Sequence, residues 1–496
     1  MYHNKKNNLW LGLQFMVSLL VSFVTLKLNI MNYGAKYFGI WITLASIWGI
    51  GSVLDFGFGT AIVKYIAEAE KINDKKKINV IYSTGLILFL TIGICILIGG
   101  NIIAEIIFYN NPNIVPLELK SLMRIVFLIL GVSFYFQYIS IFFRSFFEGL
   151  SNFVLTSRLL IANYVLTLIL VSLITLFKLS IVFLSLAYMS ASFVTLLLYF
   201  ITFRLNHKEY HFSRSTMDFI EIKKIFGFSV NIQISSLLGS FIDPIIKYVI
   251  SNYASVEVVP FYEVARRFSL AISGLFATTF KTLLPQTSVL NTKQEFKDYI
   301  LKDGTSMLKL GIAYSGIVFG TGALFFASII KLWFGFNESV IIFFILALAE
   351  SINNIGFMVY VFFMGIGKAV YLIIVQLTNV ILVSTFLIVG FLIFKNYLGL
   401  FGYFVSVLID NLVMLYFLKG ETGISIKDWL KGIKLFKLIL FYLFTILSII
   451  LLFNKTNVFL AASLLSLSCS LIFIKEIKSY ISILLNIAKS RIIAQY

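Results

Sequence analysis

Charged side chains inside long apolar runs are the residues of this 496-residue chain whose types and spacing could do chemistry. Lys247 follows Asp243, and Arg267 follows Glu263, at the i, i+4 spacing that places both members of a pair on one helix face. Such cations could hold an anionic group, which guanidinium groups bind through two parallel hydrogen bonds. The same spacing equally allows each pair to neutralise itself, and the sequence leaves both interpretations open. The candidate anion-binding residues are Lys247, Arg266, Arg267 and Lys281.

Hydroxyl and amide side chains form a stripe along one face of an early apolar segment, and part of that stripe recurs later in the chain. Helical periodicity places all members of each stripe on one side of its helix. We therefore predict that the two stripes line a common cavity and bind polar groups of a substrate. The first stripe consists of Gln14, Ser18, Ser22, Thr25 and Asn29, and its last four positions match Ser236, Ser240, Asp243 and Lys247 in spacing.

Pro244 lies deep inside the apolar run that carries the second stripe. Proline lacks the backbone N–H and clashes with the carbonyl four residues earlier, so a helix bends where it occurs. We predict a kink beside Asp243 and interpret Pro244 as a candidate hinge.

The elements that must position these residues follow from the composition. Sixty per cent of the residues are hydrophobic, only 12% are charged, and the mean hydropathy is +0.98. Runs such as 78–98 and 435–453 are long enough to cross a bilayer and show no strand-like alternation, which indicates helices. The sequence predicts an all-α integral membrane protein with about 14 transmembrane helices. Their ranges are 9–31, 37–63, 79–108, 119–143, 155–177, 180–203, 225–252, 258–288, 304–330, 339–364, 369–394, 398–418, 435–453 and 457–474.

Basic residues identify the cytoplasmic side of this arrangement. Lys and Arg concentrate in alternate connections, such as 64–77, 204–224 and 419–437, which the positive-inside rule assigns to the cytoplasm. Both termini are then expected in the cytoplasm. The net charge of +18 follows mostly from this bias, so it does not require a nucleic-acid partner.

Short matches between the two halves of the chain indicate an internal repeat. Residues 146–150 resemble 362–366, and 198–200 resemble 415–417, at nearly the displacement that relates the two polar stripes. A unit of six helices crosses the membrane an even number of times, so its two copies are parallel. We predict an N-terminal six-helix lobe at 1–207, an inter-lobe loop at 208–224, a C-terminal six-helix lobe at 225–420, and two further helices with a tail at 421–496.

Several short motifs resemble bacterial polysaccharide exporters of the Wzx flippase type. They are Tyr33-Gly34, Gly39-Ile40-Trp41, the Leu-Asp-Phe-Gly-Phe-Gly run at 54–59, and Phe-Tyr-Glu-Val-Ala-Arg-Arg at 261–267. The resemblance implies two six-helix lobes around a central cavity in a bacterial inner (plasma) membrane. Its implied cargo is an undecaprenyl-diphosphate-linked oligosaccharide, moved to the outer leaflet by alternating access. The candidate partners are this substrate, membrane lipids, a polysaccharide polymerase and chain-length proteins.

The same resemblance suggests how transport could be driven. In the similar multidrug exporters, acidic residues on second-lobe helices bind a coupling cation, which implies Na⁺ or H⁺ coupling here without a cofactor. The candidates are Asp243, Glu263, Glu350 and Asp410. For Glu350 and Asp410, hydrogen bonding between helices is the competing interpretation, and we favour it modestly.

Two alternative functions remain from the sequence. A multidrug exporter would share the fold, and a membrane polysaccharide polymerase or ligase would act on the same sugars. An enzyme is disfavoured because the outer connections, near 110–118 and 331–339, are too short for a catalytic loop. The chain also lacks the G-x-x-x-x-G-K-[ST] motif of ATP-driven proteins.

Overall fold

The computed structural model describes residues 2–53, 55–212, 234–280, 328–335, 337–365 and 369–423, together with 295, 297 and 298. In these residues every regular element is helical, and nine helices are long and apolar enough to cross a membrane. The predicted fold class, an all-α integral membrane protein, is confirmed. The predicted helices at 435–453 and 457–474 lie outside the described residues, as does most of the one at 304–330.

Two compact units divide the chain, 1–260 and 261–496. The first contains α1 (Tyr2–Val53), α2 (Asp55–Lys71), α3 (Lys75–Ile107), α4 (Lys120–Gly149), α5 (Phe153–Leu176), α6 (Ile181–Asn206) and α7 (Ile234–Tyr253). Helix α8 (Val258–Phe280) begins at the end of this unit. The second unit contains the rest of α8, α9 (Asn337–Gly365), α10 (Ala369–Phe394) and α11 (Phe401–Thr422). The sequence repeat instead assigns α7 to the C-terminal lobe, so the predicted lobe limits remain a prediction.

Gly34 separates what the sequence predicts as the first two transmembrane helices. We expected a connection between residues 31 and 37, but α1 continues through this region with one non-helical residue, Gly34, at φ 71° and ψ 170°. Glycine adopts a positive φ without the steric cost that a Cβ would impose. The first two crossings are therefore joined by a kink rather than by a loop.

Local sequence explains where several other helices begin. The Asp74 side chain accepts a hydrogen bond from the Lys77 backbone N–H at 2.9 Å and caps α3. Asn152 caps α5 in the same way through the Leu155 N–H. These caps supply partners for N–H groups that a helix leaves unpaired at its start.

Aromatic rings fill the core of the first unit between α3, α4 and α6. Tyr82 stacks on Phe203 with ring centroids 4.7 Å apart, Phe146 packs edge-on against both of these rings, and Phe142 packs tilted against Tyr82. These four side chains are almost completely buried. In the second unit α9 is deeply buried at its start, where every residue from Val340 to Glu350 is buried.

Candidate functional site

Helix α7 carries a buried ion pair next to a break in the helix. The Lys247 ammonium lies 2.6 Å from an Asp243 carboxylate oxygen, and the Lys247 side chain is only 7% exposed. The helix is interrupted at Phe241, so its second part begins at Ile242, just before Pro244. This break agrees with the bend predicted from proline, whose missing N–H cannot bond to Ser240. The role of Pro244 as a hinge remains a prediction.

Helix α8 carries two arginines that contact different carboxylates. Arg267 Nε donates to Glu263 Oε1 at 2.8 Å, the i, i+4 pair that the sequence allows. Arg266, one residue earlier, lies 2.5 Å from Glu350 Oε1 on α9. Arg267 keeps 30% of its side chain exposed, against 13% for Arg266. Arg267 is therefore the more accessible of the two cations.

Glu350 is the centre of a hydrogen-bond network in the second unit. Its Oε2 accepts hydrogen bonds from Ser273 Oγ at 3.1 Å and from Asn353 Nδ2 at 3.3 Å. The Tyr403 hydroxyl makes a longer contact of 3.5 Å with Oε1, and the Arg266 guanidinium lies over the Tyr403 ring. Contacts from α8, α9 and α11 therefore meet at one carboxylate that is 3% exposed. This matches the helix-to-helix bonding that the sequence offered as the competing interpretation.

The Asp410 carboxylate has fewer hydrogen-bond partners than that of Glu350 among the described residues. It lies on α11, is 4% exposed, and its contact among the described residues is with Thr378 Oγ1 at 3.4 Å. The Thr378 hydroxyl also donates to the Val375 carbonyl at 2.8 Å, and a hydroxyl has only one proton to donate. Asp410 is thus a buried carboxylate that no basic side chain of the described residues neutralises.

Some side chains of the polar stripe on α1 donate hydrogen bonds to backbone carbonyls of their own helix. Ser18 donates to the Phe15 carbonyl and Thr25 to the Val21 carbonyl, at 2.8 and 2.7 Å. Asn29 is 2% exposed, and its buried Oδ1 has no hydrogen-bond donor among the described residues. On α7, Ser240 likewise donates to the Leu237 carbonyl at 2.6 Å. The hydroxyls keep their acceptor lone pairs, so a binding role for the stripes remains a prediction.

The remaining predicted site residues differ in burial and in the compact unit to which they belong. Gln14, Ser22 and Ser236 are half-buried on α1 and α7. Lys281 lies outside the described residues. Lys247 belongs to the first compact unit, and Arg266 and Arg267 belong to the second.

Close contacts join α1 to the end of α7 within the first unit. The hydroxyls of Thr43 and Ser251 lie 3.0 Å apart, and both residues are buried. At Gly39, a side chain would collide with the Val256 carbonyl, so glycine is what allows the two segments to approach. Nearby, Asn111 donates to the Asn252 side-chain oxygen at 2.8 Å. Sequence spacing carries no signal for these contacts because their residues are far apart along the chain.

A cavity of about 210 Å³ lies between α1, α4 and α6 of the first unit. Four of its residues are aromatic and two carry side-chain hydrogen-bonding groups of another kind. Sequence analysis missed this cavity. The signal that could have found it is one face of α1 on which large and small residues alternate, namely Trp41, Ala45, Trp48 and Gly49. The lining residues are Trp41, Ala45, Trp48, Gly49, Leu130, Ser133, Phe134, Gln137 and Tyr188.

Among the described residues, no cluster of His, Cys, Asp and Glu is arranged to hold a metal ion.

Comparison with known proteins gives a family and a fold. A family model described as polysaccharide biosynthesis protein matches residues 5–290, more than half of the chain. No curated protein matches the chain significantly.

Solved structures share the fold over most of both chains. The lipid II flippase MurJ, in its inward closed conformation, aligns with a TM-score of 0.66 and 17% identity over 96% of this chain and 99% of that one. An inward-facing multidrug resistance MATE transporter of the MOP superfamily aligns with a TM-score of 0.57 and 14% identity over 90% of this chain and 96% of that one. The Vibrio cholerae MATE transporter VcmN in the bent form aligns with a TM-score of 0.53 and 15% identity over 86% of this chain and 95% of that one. The chain thus has the fold of MurJ and MATE transporters.

Proposed function

Since the chain belongs to the polysaccharide biosynthesis protein family, we propose that it is a flippase for an undecaprenyl-diphosphate-linked oligosaccharide. It would carry an O-antigen, capsule or related repeat unit from the cytoplasmic to the outer leaflet of a bacterial inner membrane by alternating access. The family match carries this proposal, because it ties a multi-pass membrane protein to polysaccharide synthesis. The likeness to a lipid flippase fold supports translocation rather than sugar polymerisation.

The proposed cargo needs a cation at the point where its diphosphate crosses the apolar region. An uncompensated anion in a low-dielectric site is costly, so a counter-charge must be available. Arg267 suits this role best among the described candidates, because its side chain stays 30% exposed while Nε holds Glu263. Lys247 would first have to exchange Asp243 for the phosphate, and its side chain is almost completely buried.

The proposed energy source is a proton or Na⁺ gradient acting through Asp410. Burial of a carboxylate without a cation is costly, and a proton or a bound cation removes that cost. Thr378 Oγ1 is an oxygen ligand beside it. Glu350 is a poorer coupling site because Arg266 already supplies its counter-charge.

The flippase proposal is tested by reconstitution. The purified protein is placed in proteoliposomes with an undecaprenyl-diphosphate-linked oligosaccharide, and the fraction of glycan that an external glycosidase can reach is followed after a proton or Na⁺ gradient is imposed. We expect that fraction to rise with wild type and to stay at the level of protein-free liposomes with Arg267→Ala. Asp410→Asn should lose the gradient response while it still folds and inserts.

Two outcomes would favour the alternatives. Glycan chains that lengthen without any change in sidedness would indicate a polymerase or ligase. Gradient-driven accumulation of a cationic dye, with no movement of the lipid-linked glycan, would indicate a multidrug exporter.

A further inference from the structure

The cavity of the first unit is separate from the charged residues to which the flippase proposal assigns the diphosphate and the gradient. Its walls come from α1, α4 and α6, and none of its nine lining residues carries a charge. Its occupant is therefore expected to be neutral, because a buried ion would need an opposite charge nearby. A volume of about 210 Å³ is below the range of drug-sized sites, roughly 300–1,000 Å³. It is suited to a single small ring.

Aromatic rings form much of the cavity wall, and their positions are fixed by packing. Trp48 contacts Phe127 and Phe134, with ring centroids 4.7 and 5.7 Å away. The ring centroids of Trp41 and Tyr188 lie 5.4 Å apart, and the Trp41 indole N–H donates to Ser185 Oγ at 3.1 Å. Rigid rings of this kind form an apolar wall without the entropy cost of ordering flexible side chains on binding.

Glycines make room for the Trp48 ring. A Cβ at Gly131 would lie 2.7 Å from Trp48 Cζ2, and one at Gly100 would lie 2.7 Å from Trp48 Cη2. Both separations are well inside van der Waals contact, so these glycines set the position of the ring.

Hydrogen-bonding groups accompany the aromatic faces. Gln137 Nε2 donates to Ser192 Oγ at 2.9 Å, and Ser133 Oγ lies 3.0 Å from the same oxygen. Trp48 is 5% exposed, and its indole N–H has no hydrogen-bond acceptor among the described residues. A buried N–H without an acceptor is costly, so the packing around the Trp48 ring must offset that cost.

The surroundings of Gln137 indicate that water, rather than lipid, reaches this cavity. Gln137 lies near the middle of α4 and is nevertheless exposed. A primary amide facing hydrocarbon at that depth would leave donors and acceptors unpaired. The cavity therefore suits a polar ligand that arrives with water.

We propose that this cavity binds one pyranose ring of the transported glycan. The C–H face of a pyranose can lie against the accessible edges of the aromatic rings, while its hydroxyls can bond to the exposed amide of Gln137. This assignment rests on the proposed flippase function and adds a sugar-recognition subsite in the first unit. It makes the repeat unit, and not only the lipid diphosphate, a determinant of binding.

Binding is tested directly with the full-length protein in phosphatidylglycerol nanodiscs. Methyl glycosides of glucose, galactose, rhamnose and N-acetylglucosamine serve as probes, and intrinsic tryptophan fluorescence serves as readout, because Trp41 and Trp48 are two of the five tryptophans. We expect a saturable change with at least one glycoside. Gln137→Leu keeps both reporters and should weaken that binding about three- to tenfold, the loss expected for one hydrogen bond.

Two adjacent glycines on α3 provide a matched pair of variants. Gly100→Ala pushes directly on Trp48, whereas a Cβ at Gly99 meets nothing within 4 Å. Both changes add one methyl group to the same helix. We expect Gly100→Ala to weaken glycoside binding and Gly99→Ala to bind as wild type does, with equal yields of folded protein from size-exclusion chromatography.

The outcomes separate this proposal from the flippase function. Absence of a saturable response to every glycoside, or equal effects of the two glycine variants, would overturn the sugar subsite. Saturable binding of tetraphenylphosphonium alone would overturn it in favour of a cation site. Glycoside binding that depends on Gln137 would support the subsite even if the wild-type protein failed to move a lipid-linked glycan.

Discussion

The ion pair between Arg266 and Glu350 leads to a sharp prediction about stability. In Glu350→Gln the carboxylate is lost while the Arg266 charge stays in place, 13% exposed. The substitution also places an amide that carries donors among the donors of Ser273 and Asn353, which now contact Oε2. Removing one partner of a buried ion pair costs about 3–5 kcal/mol, because the other charge stays buried without compensation. We expect Glu350→Gln to be destabilised by an amount of this order.

A double variant separates the ion pair from other effects of the substitution. Arg266→Met combined with Glu350→Met removes both charges and fills the space with apolar side chains. Buried pairs replaced in this way are often neutral or stabilising, so the double variant should recover most of the stability. The coupling between the two sites is then the difference between the double change and the sum of the single changes.

The assay is the thermal transition of purified protein in nanodiscs, measured for wild type, Glu350→Gln, the single variants Arg266→Met and Glu350→Met, and the double variant. Arg267→Met is the control at the adjacent position, because its partner Glu263 is a different carboxylate. Wild-type stability of Glu350→Gln, together with loss of gradient-driven transport, would refute the structural role. It would return Glu350 to the coupling role that the sequence also allowed.

Three further predictions concern the other candidate residues. Thr43→Cys with Ser251→Cys should form a disulfide on oxidation, since the hydroxyls of Thr43 and Ser251 lie 3.0 Å apart. If these two segments separate during the transport cycle, the disulfide should stop transport and its reduction should restore it. Transport that is unaffected by complete cross-linking would exclude such movement. Arg267→Lys should restore only part of the export lost in Arg267→Ala, because an ammonium lacks the guanidinium fork, and full export in the alanine variant would remove its phosphate role. Asp243→Asn with Lys247→Gln should retain export if that pair only neutralises itself, whereas loss of export by a stably folded double variant would favour phosphate binding.

The helical membrane fold was predictable because its signal is local. Apolar runs and alternate basic connections are each read from a few dozen consecutive residues. The kink at Gly34 was not predicted, since the sequence around it suggested a short connection. A single glycine with positive φ can redirect a helix without a loop, and composition alone does not distinguish these two solutions.

The candidate site was predictable only where its partners share a helix. The spacing of Asp243 with Lys247 and of Glu263 with Arg267 allows an ion pair within one helix, and both pairs form. The partnership of Arg266 with Glu350 depends on how α8 packs against α9, and sequence spacing carries no information about it. The same limit applies to the aromatic cavity, whose walls come from three helices.

Charge compensation gives Asp410 its significance. Five carboxylates inside other described helices face a basic partner: Glu105 with Arg124, Glu148 with Arg144, Asp243 with Lys247, Glu263 with Arg267, and Glu350 with Arg266. Within the same described residues, Asp410 contacts the hydroxyl of Thr378 and no cation. A buried carboxylate needs compensation as much as the others do, so its counter-charge must come from outside those side chains. A proton or a small cation can supply it and can also leave, whereas a tethered arginine cannot, and this reversibility is what coupling to a gradient requires.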